Sequence, residues 1–416
     1  MLEQHWEDCS LLFDARRWRV RSPRMSLAAL ARLDELTDAH LDGLVVASPA
    51  ASSVLTRDAE RLNTGQISAI AAYALRSSRL DLLDWLAGMS GEVAGWWESV
   101  GDGVAWASEE SLGAVLTSGV RQTLPWNAVL KLLVCRLTGR AAHELFLSCL
   151  NDGASPPVQL MCLRVVGELG VSALNPRCVE LIRSTNPQVS NQAALALWMS
   201  GERGVSLSAM SMLFRRAGSS GREDAEGAWF IQGLAQAQAF AELEREFATH
   251  SQHDARHAEL ISYAGLVGQV SLVLSAIGWM NVAKIARAAG EAFTWITGAD
   301  LAELGLDRDP PEDFQSGPND DPNDESVAMD EDEDLPWPDP VKVADWWHKN
   351  KHNFQSGVRY FMGRPVTVEH CIHVLKTGKQ RQRFIAARYL KLLQPERPLF
   401  NCAAPAWRQQ ALLAKM

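Results

Sequence analysis

Proline stands at positions 125, 156 and 187 and glycine at 139, 170 and 201, so both recur every 31 residues and each proline precedes its glycine by fourteen. A period of that length, kept by two residue types at once, restricts the chain to architectures built from stacked copies of one small unit. The two residue types say what the unit is. Proline is tolerated in the first turn of a helix, where its missing N–H has no intrahelical partner to lose. Glycine just past a helix end takes the left-handed conformation that closes it. Residues 126–138, 157–169 and 188–200 are therefore expected to be helices of about 20 Å, at about 1.5 Å per residue. Aligned on the period, they place Leu132, Leu163 and Ala194 in one column, Val134, Val165 and Ala196 in a second, and Cys135, Val166 and Leu197 in a third.

After each glycine comes another apolar-periodic stretch, at 143–150, 176–182 and 207–214. Two antiparallel helices in 31 residues cannot bury their apolar faces alone, so neighbouring pairs must stack. The cadence loosens outside this region. Gly233, Gly268 and Gly298 are expected to end further helices, 282–297 among them, while 66–75 with 80–87 and 381–393 read as related elements. The expected fold class is all-α, a HEAT-like α-solenoid of stacked antiparallel helix pairs. Hydrophobic residues at 47% and charged residues at 22% suit a folded chain rather than a disordered one.

Residues 1–50 read as an N-terminal helical cap, in which Leu27, Leu30, Leu33, Leu36 and Leu41 form a helical stripe closed by Gly43. A loop is expected at 49–53. The solenoid is expected over 51–306, with a C-terminal helical region, 341–416, ending it. Residues 260–283 carry no charge, but Gln269, Asn281 and three glycines interrupt them, so two short buried helices are expected rather than a membrane span. The N-terminus has no basic segment leading into an apolar run, so no signal peptide is expected.

Residues 307–340 break the pattern. Pro310, Pro311, Pro318, Pro322, Pro336, Pro338 and Pro340 rule out a helix there, and fourteen acidic residues against Arg308 give the segment a charge of −13. The whole chain carries −10, so the remainder carries +3. That balance argues against a nucleic-acid binder, which needs a basic excess. Close by in sequence, Lys376, Lys379, Arg381, Arg383, Arg388 and Lys391 form a basic run. Opposite charges of this size predict that the insert folds back on the C-terminal helix, with Trp337, Trp346 and Trp347 as apolar anchors. Trp337, Trp346, Trp347, Lys379, Arg381, Arg383 and Arg388 are the candidate partner-binding residues.

Several segments together resemble a family: Gln4-His5 with Glu7-Asp8, residues 31–35 and 39–44, Ile296-Thr297-Gly298-Ala299-Asp300-Leu301, residues 317–322, Leu335-Pro336-Trp337-Pro338-Asp339-Pro340, and Tyr360 with Gly363-Arg364-Pro365. They are similar to an uncharacterised family of HEAT-like repeat proteins encoded in proteobacterial type VI secretion gene clusters. The resemblance implies a cytoplasmic accessory role in that contractile machine and no catalytic residues.

Residue chemistry points the same way. The seven cysteines form no C-x-x-C pair, and reduced thiols packed as small apolar groups are expected, without zinc. His250, His253 and His257 share a helical face only if the helix is continuous there; His348 with His352 and His370 with His373 are pairs, too few for a metal site. Residues 319–325 offer hard oxygens but lack the spacing of a calcium loop. No phosphate loop, G-x-S-x-G or H-E-x-x-H occurs. The expectation is a non-enzyme without cofactors that binds other proteins, a secretion component or effector, as scaffold or adaptor. An immunity protein against a secreted toxin is the alternative. The fifteen tryptophans also keep open a nucleic-acid-processing solenoid of the DNA glycosylase type.

Overall fold

The computed structural model describes residues 1–48, 50–57, 62–89, 95–117, 125–216, 225–236, 257–312, 314, 317, 330 and 332–416. In chain order the helices are α1 (Leu2–Arg19), α2 (Leu27–Val46), α3 (Ala50–Leu55), α4 (Thr64–Arg76), α5 (Leu80–Gly88), α6 (Trp96–Val104), α7 (Glu109–Thr117), α8 (Pro125–Thr138), α9 (His143–Cys149), α10 (Pro156–Leu169), α11 (Asn175–Leu181) and α12 (Pro187–Met199). Then follow α13 (Gly204–Arg216), α14 (Ala225–Gln236), α15 (His257–Val267), α16 (Val273–Trp279), α17 (Ala283–Thr297), α18 (Pro340–Asn350), α19 (Val368–Thr377), α20 (Gln380–Leu393) and α21 (Ala406–Leu413). The chain divides into two units, the first comprising 1–21, 25–200 and 396–416, the second 22–24 and 201–395.

In the first unit the proline–glycine period is written directly into the helices. α8, α10 and α12 begin at Pro125, Pro156 and Pro187, and Gly139, Gly170 and Gly201 follow their ends with φ of 69°, 73° and 84°. The Arg140 N–H bonds to the Cys135 carbonyl at 3.2 Å and the Val171 N–H to the Val166 carbonyl at 3.1 Å, the same closing bond one repeat apart. α10 packs against both α8 and α12, α9 packs on α10, and α11 on α12. The same arrangement extends upstream, where α4 packs on α5 and α6, and α6 on α8. All three aligned columns are buried. α1 and α2 pack on each other and on α4, as a cap would.

The ends of α8 and α10 are also tied by a distant stretch of chain. Pro398 lies against Gly139, and the Leu399 N–H donates to the Glu168 carbonyl at 2.7 Å. Beyond it, α21 packs on α2. Residues 396–416 thus do not continue the C-terminal helices, as the sequence suggested, but complete the first unit.

Glu168 itself links two repeats, accepting from Arg136 on α8 and from Arg164 at 3.0 Å. Burial alone would raise its carboxyl, but the two guanidiniums outweigh that and hold it below its usual 4.5. A folded-state pKa depressed in this way contributes stability above the unfolded value that is lost as pH falls through the folded one. Glu168→Gln should therefore be less stable than the parent at pH 7 and lose less between pH 5 and 3, read from urea midpoints. Parallel acid limbs for the two proteins would rule the linkage out.

Several boundaries differ from the sequence expectation. Gly43 lies inside α2 rather than at its end: a Cβ there would stand 2.8 Å from the His5 ring, so the glycine makes room for α1. Leu36 is exposed, whereas Asp34 and Thr37 lie on the buried face of α2. Residues 50–53 are helical, in α3. Gly233 is interior to α14, which runs on to Gln236. The division at 200/201 cuts the expected 51–306 array.

In the second unit, α17 is the central element, packed by α15 and α16. Phe293, Ile296, Ile261, Val273, Met280, Val343 and Trp347 form the core around it. α20 packs on α19 and α14. Residues 260–283 contain the two short helices expected there, and no described helix is long and apolar enough to cross a membrane. Two small antiparallel sheets depart from the all-helical expectation: β1 (Asp307–Arg308) with β2 (Trp337–Pro338), and β3 (Tyr360–Phe361) with β4 (Arg364–Pro365).

Candidate partner-binding site

The second unit brings three separated segments onto α17. First, its C-terminal carbonyls are capped by the β3–β4 turn: the Met362 and Gly363 N–H groups donate to Trp295 and Ile296 carbonyls at 2.6 and 3.1 Å. Met362 and Gly363 both have positive φ, 49° and 77°, as a two-residue hairpin turn with the native strand twist requires. Second, the chain leaving α17 turns at Gly298 and returns Leu301 to the side of Gly290. Third, Pro338 packs beside the same glycine, where a Cβ would meet Leu301 at 2.8 Å and Pro338 at 3.4 Å. These are the segments 296–301, 335–340 and 360–365, which the sequence singled out separately.

β1 and β2 pinch the acidic insert at its base, pairing Asp307 with Pro338 and Arg308 with Trp337. The Asp339 N–H donates to the Leu306 carbonyl at 2.8 Å, and the Asp339 carboxylate caps α18 by accepting from Val341 and Lys342. Above this base, Arg287 of α17 is the organising group. Its guanidinium carbon lies 5.2 Å from the Phe314 ring and 5.0 Å from the Trp337 ring, which meet edge to face. It donates to the Asp330 carboxylate at 2.6 Å and to the Asp332 carbonyl at 2.9 Å. Arg381 of α20 reaches the Asp332 carboxylate and Glu291 of α17, both at 3.1 Å. Asp334 accepts from Ser22 at 3.2 Å and lies 3.6 Å from Arg24. The end of the insert is thus a strap that reaches α20 through Arg381, in the basic run that charge pointed to, and α17 through Arg287, which the sequence expectation did not include.

The individual candidates fare differently. Arg381 and Trp337 belong to this constellation, although Trp337 is buried, 9% exposed. Trp347 is a core residue tilted on Phe354, and Trp346 is half-buried, edge-on to Phe293 at 5.7 Å. Arg383 is fully buried, its donors taken by the Leu375 carbonyl at 2.7 Å and by Gln380, and so is unavailable to a partner. Arg388 is half-buried and donates to Gln232 at 2.6 Å. Lys391 is also buried, on the Pro395 carbonyl at 2.7 Å. The cause is common: α19 and α14 cover two faces of α20, so much of the basic run points inward, where main-chain carbonyls and glutamines absorb it. Lys376 and Lys379 remain exposed. The sequence missed Arg287, which lies in an alanine-rich helix with no charge pattern to mark it.

Residues 319–325, His250 and His253 lie outside the described residues, as does the His257 side chain. His348 and His352 are exposed. His370 is buried, bonds the Phe361 carbonyl at 2.7 Å and stacks on His373; burial pushes its pKa down. All seven cysteines are buried and unbridged, and burial drives the Cys9, Cys178 and Cys371 thiols up to about 12. No three His, Cys, Asp or Glu side chains are placed to hold a metal among the described residues.

Because the strap's ion pairs are only partly shielded, 9–18% exposed, salt should loosen them. Cleavage by a protease across 310–335 should accelerate as salt rises from about 0.1 to 1 M, where the screening length falls from about 10 to about 3 Å. Equal rates at every ionic strength would mean that charge does not hold the strap. Compared with family models, curated proteins and solved structures, the chain finds no match.

Proposed function

We propose that this chain is a non-catalytic, HEAT-like α-solenoid that binds other proteins, as a cytoplasmic adaptor or scaffold accessory to type VI secretion. The observation that carries the reading is the convergence on α17 of the segments 296–301, 335–340 and 360–365. These are segments on which the family resemblance rests: 296–301 and 335–340 meet beside Gly290, 360–365 caps the C-terminal end of α17, and 335–340 brings Trp337 onto Arg287. Stacked helix pairs add to it, since repeat architectures commonly present extended protein-binding surfaces.

The test is affinity capture of the full chain from cells with an active type VI system, followed by mass spectrometry. Recovery of an apparatus component or an effector loaded by it supports the adaptor. Recovery of a toxin whose activity the chain blocks replaces that reading with immunity. Excision of alkylated bases at rates that depend on protein concentration would overturn both.

A further inference from the structure

We infer that Arg287 and Arg381 form a reading site for an acidic peptide segment, and that the chain's own Asp330–Asp332 stretch occupies it. The inference rests on the adaptor reading and names the chemistry a partner would present.

The two arginines come from different helices and converge on one residue. Asp332 receives Arg287 at its carbonyl, 2.9 Å, and Arg381 at its carboxylate, 3.1 Å. Asp330 takes the other terminal nitrogen of Arg287 at 2.6 Å. Two carboxylates separated by one residue, with the carbonyl of the second, are what the pair reads. Arginine's planar fork suits carboxylates better than a lysine point charge, and little of its freedom is left to lose here. Glu291 fixes Arg381 from the helix side at 3.1 Å, and the Phe314 and Trp337 rings flank Arg287.

The strap is held in another way. Its main-chain bonds are local, from Glu333 N–H to the Asp330 carbonyl at 3.2 Å and from Leu335 N–H to the Asp332 carbonyl at 2.9 Å. Its grip on α17 and α20 is charge-assisted and follows from an Asp-x-Asp pattern that another acidic chain can supply. The firm anchors, Leu335 and Trp337, lie after it, so the carboxylates can leave without unseating the base of the insert. What protects the site is tethering: a segment attached a few residues away competes at an effective concentration in the millimolar range, about a hundredfold or more above a typical free partner. A free acidic peptide should therefore bind poorly until the tethered carboxylates are neutralised.

The experiment uses the full chain and a fluorescein-labelled peptide, Asp-Glu-Asp-Glu-Asp, which has the sequence of residues 330–334. Fluorescence anisotropy should show the peptide binding Asp330→Asn/Asp332→Asn at least about tenfold more tightly than the parent. Glu333→Gln/Asp334→Asn removes the same charge from positions that do not touch Arg287 or Arg381, and should leave the affinity at the parent level. Binding to the first variant should vanish when Arg381→Gln is added or salt is raised to about 1 M. Circular dichroism and urea midpoints identify variants that fold. Equal tightening by both double variants would reduce the effect to net charge and overturn the inference. So would a folded Asp330→Asn/Asp332→Asn protein that binds no better than the parent, since the strap would then be a structural tie. A protein partner captured equally by the parent and by Arg381→Gln would sink this site while leaving the adaptor reading. Peptide binding without any captured partner would do the reverse.

Discussion

Asp34→Ala should cost the first unit about 3–5 kcal/mol, the loss expected when one member of a buried ion pair is removed. Asp34 and Arg16 are 4% and 6% exposed at the side chain and bond at 2.6 Å. The same aspartate accepts the Ala406 N–H at the start of α21, also at 2.6 Å, while Arg16 donates to the Ala403 and Ala404 carbonyls at 2.8 and 2.9 Å. One substitution therefore strands a buried guanidinium and a helix N-terminal donor together. Asp34→Asn, which keeps one acceptor, should lose less. Urea unfolding at unchanged slope measures both, and a loss under about 1 kcal/mol for Asp34→Ala would mean that water replaces the carboxylate.

Leu163→Ala should cost about 2–5 kcal/mol. Leu163 is fully buried in α10, the helix held between α8 and α12, so neither neighbour can close in freely on the cavity. Leu147, 43% exposed on α9, is the internal control, and its truncation should stay within about 0.5 kcal/mol. Similar losses at the two positions would show that the repeat's columns do not define its core.

The repeat was legible because proline and glycine act locally: each sets a backbone conformation whatever surrounds it. The period faded upstream for an equally local reason. α4 ends with the same closing bond, Arg79 N–H to the Ala74 carbonyl at 2.8 Å, but its left-handed residue is Ser78, φ 56°, which no search for glycine finds. α1 escaped because its buried face includes Ser10 and Arg16 beside Trp6, Cys9 and Phe13, which breaks the apolar rhythm. The stripe on α2 was misjudged where Asp34 and Thr37 replace leucine. Ser10 and Thr37 are buried because each hydroxyl bonds a carbonyl one turn back, and Arg16 and Asp34 because they meet each other and residues 403–406; apolar periodicity carries no trace of either kind of partner. At the candidate site, the attraction between insert and basic run was readable from net charge. Which arginines receive it was not, since that depends on the faces of α20 that α14 and α19 cover.

The first unit is assembled from 1–21, 25–200 and 396–416, with 201–395 lying between in the sequence. On the ribosome this interruption becomes a delay. Arg16 and Asp34 emerge early, yet the carbonyls and the N–H they bind belong to residues 403–406 and arrive only after the whole second unit has been made. Synthesis at about 5–20 residues per second leaves an interval of tens of seconds in which the early helices wait with an unfinished polar core. The polar core of the first unit is thus closed only by α21, made after residues 201–395, and the second unit is free to fold before the first is complete.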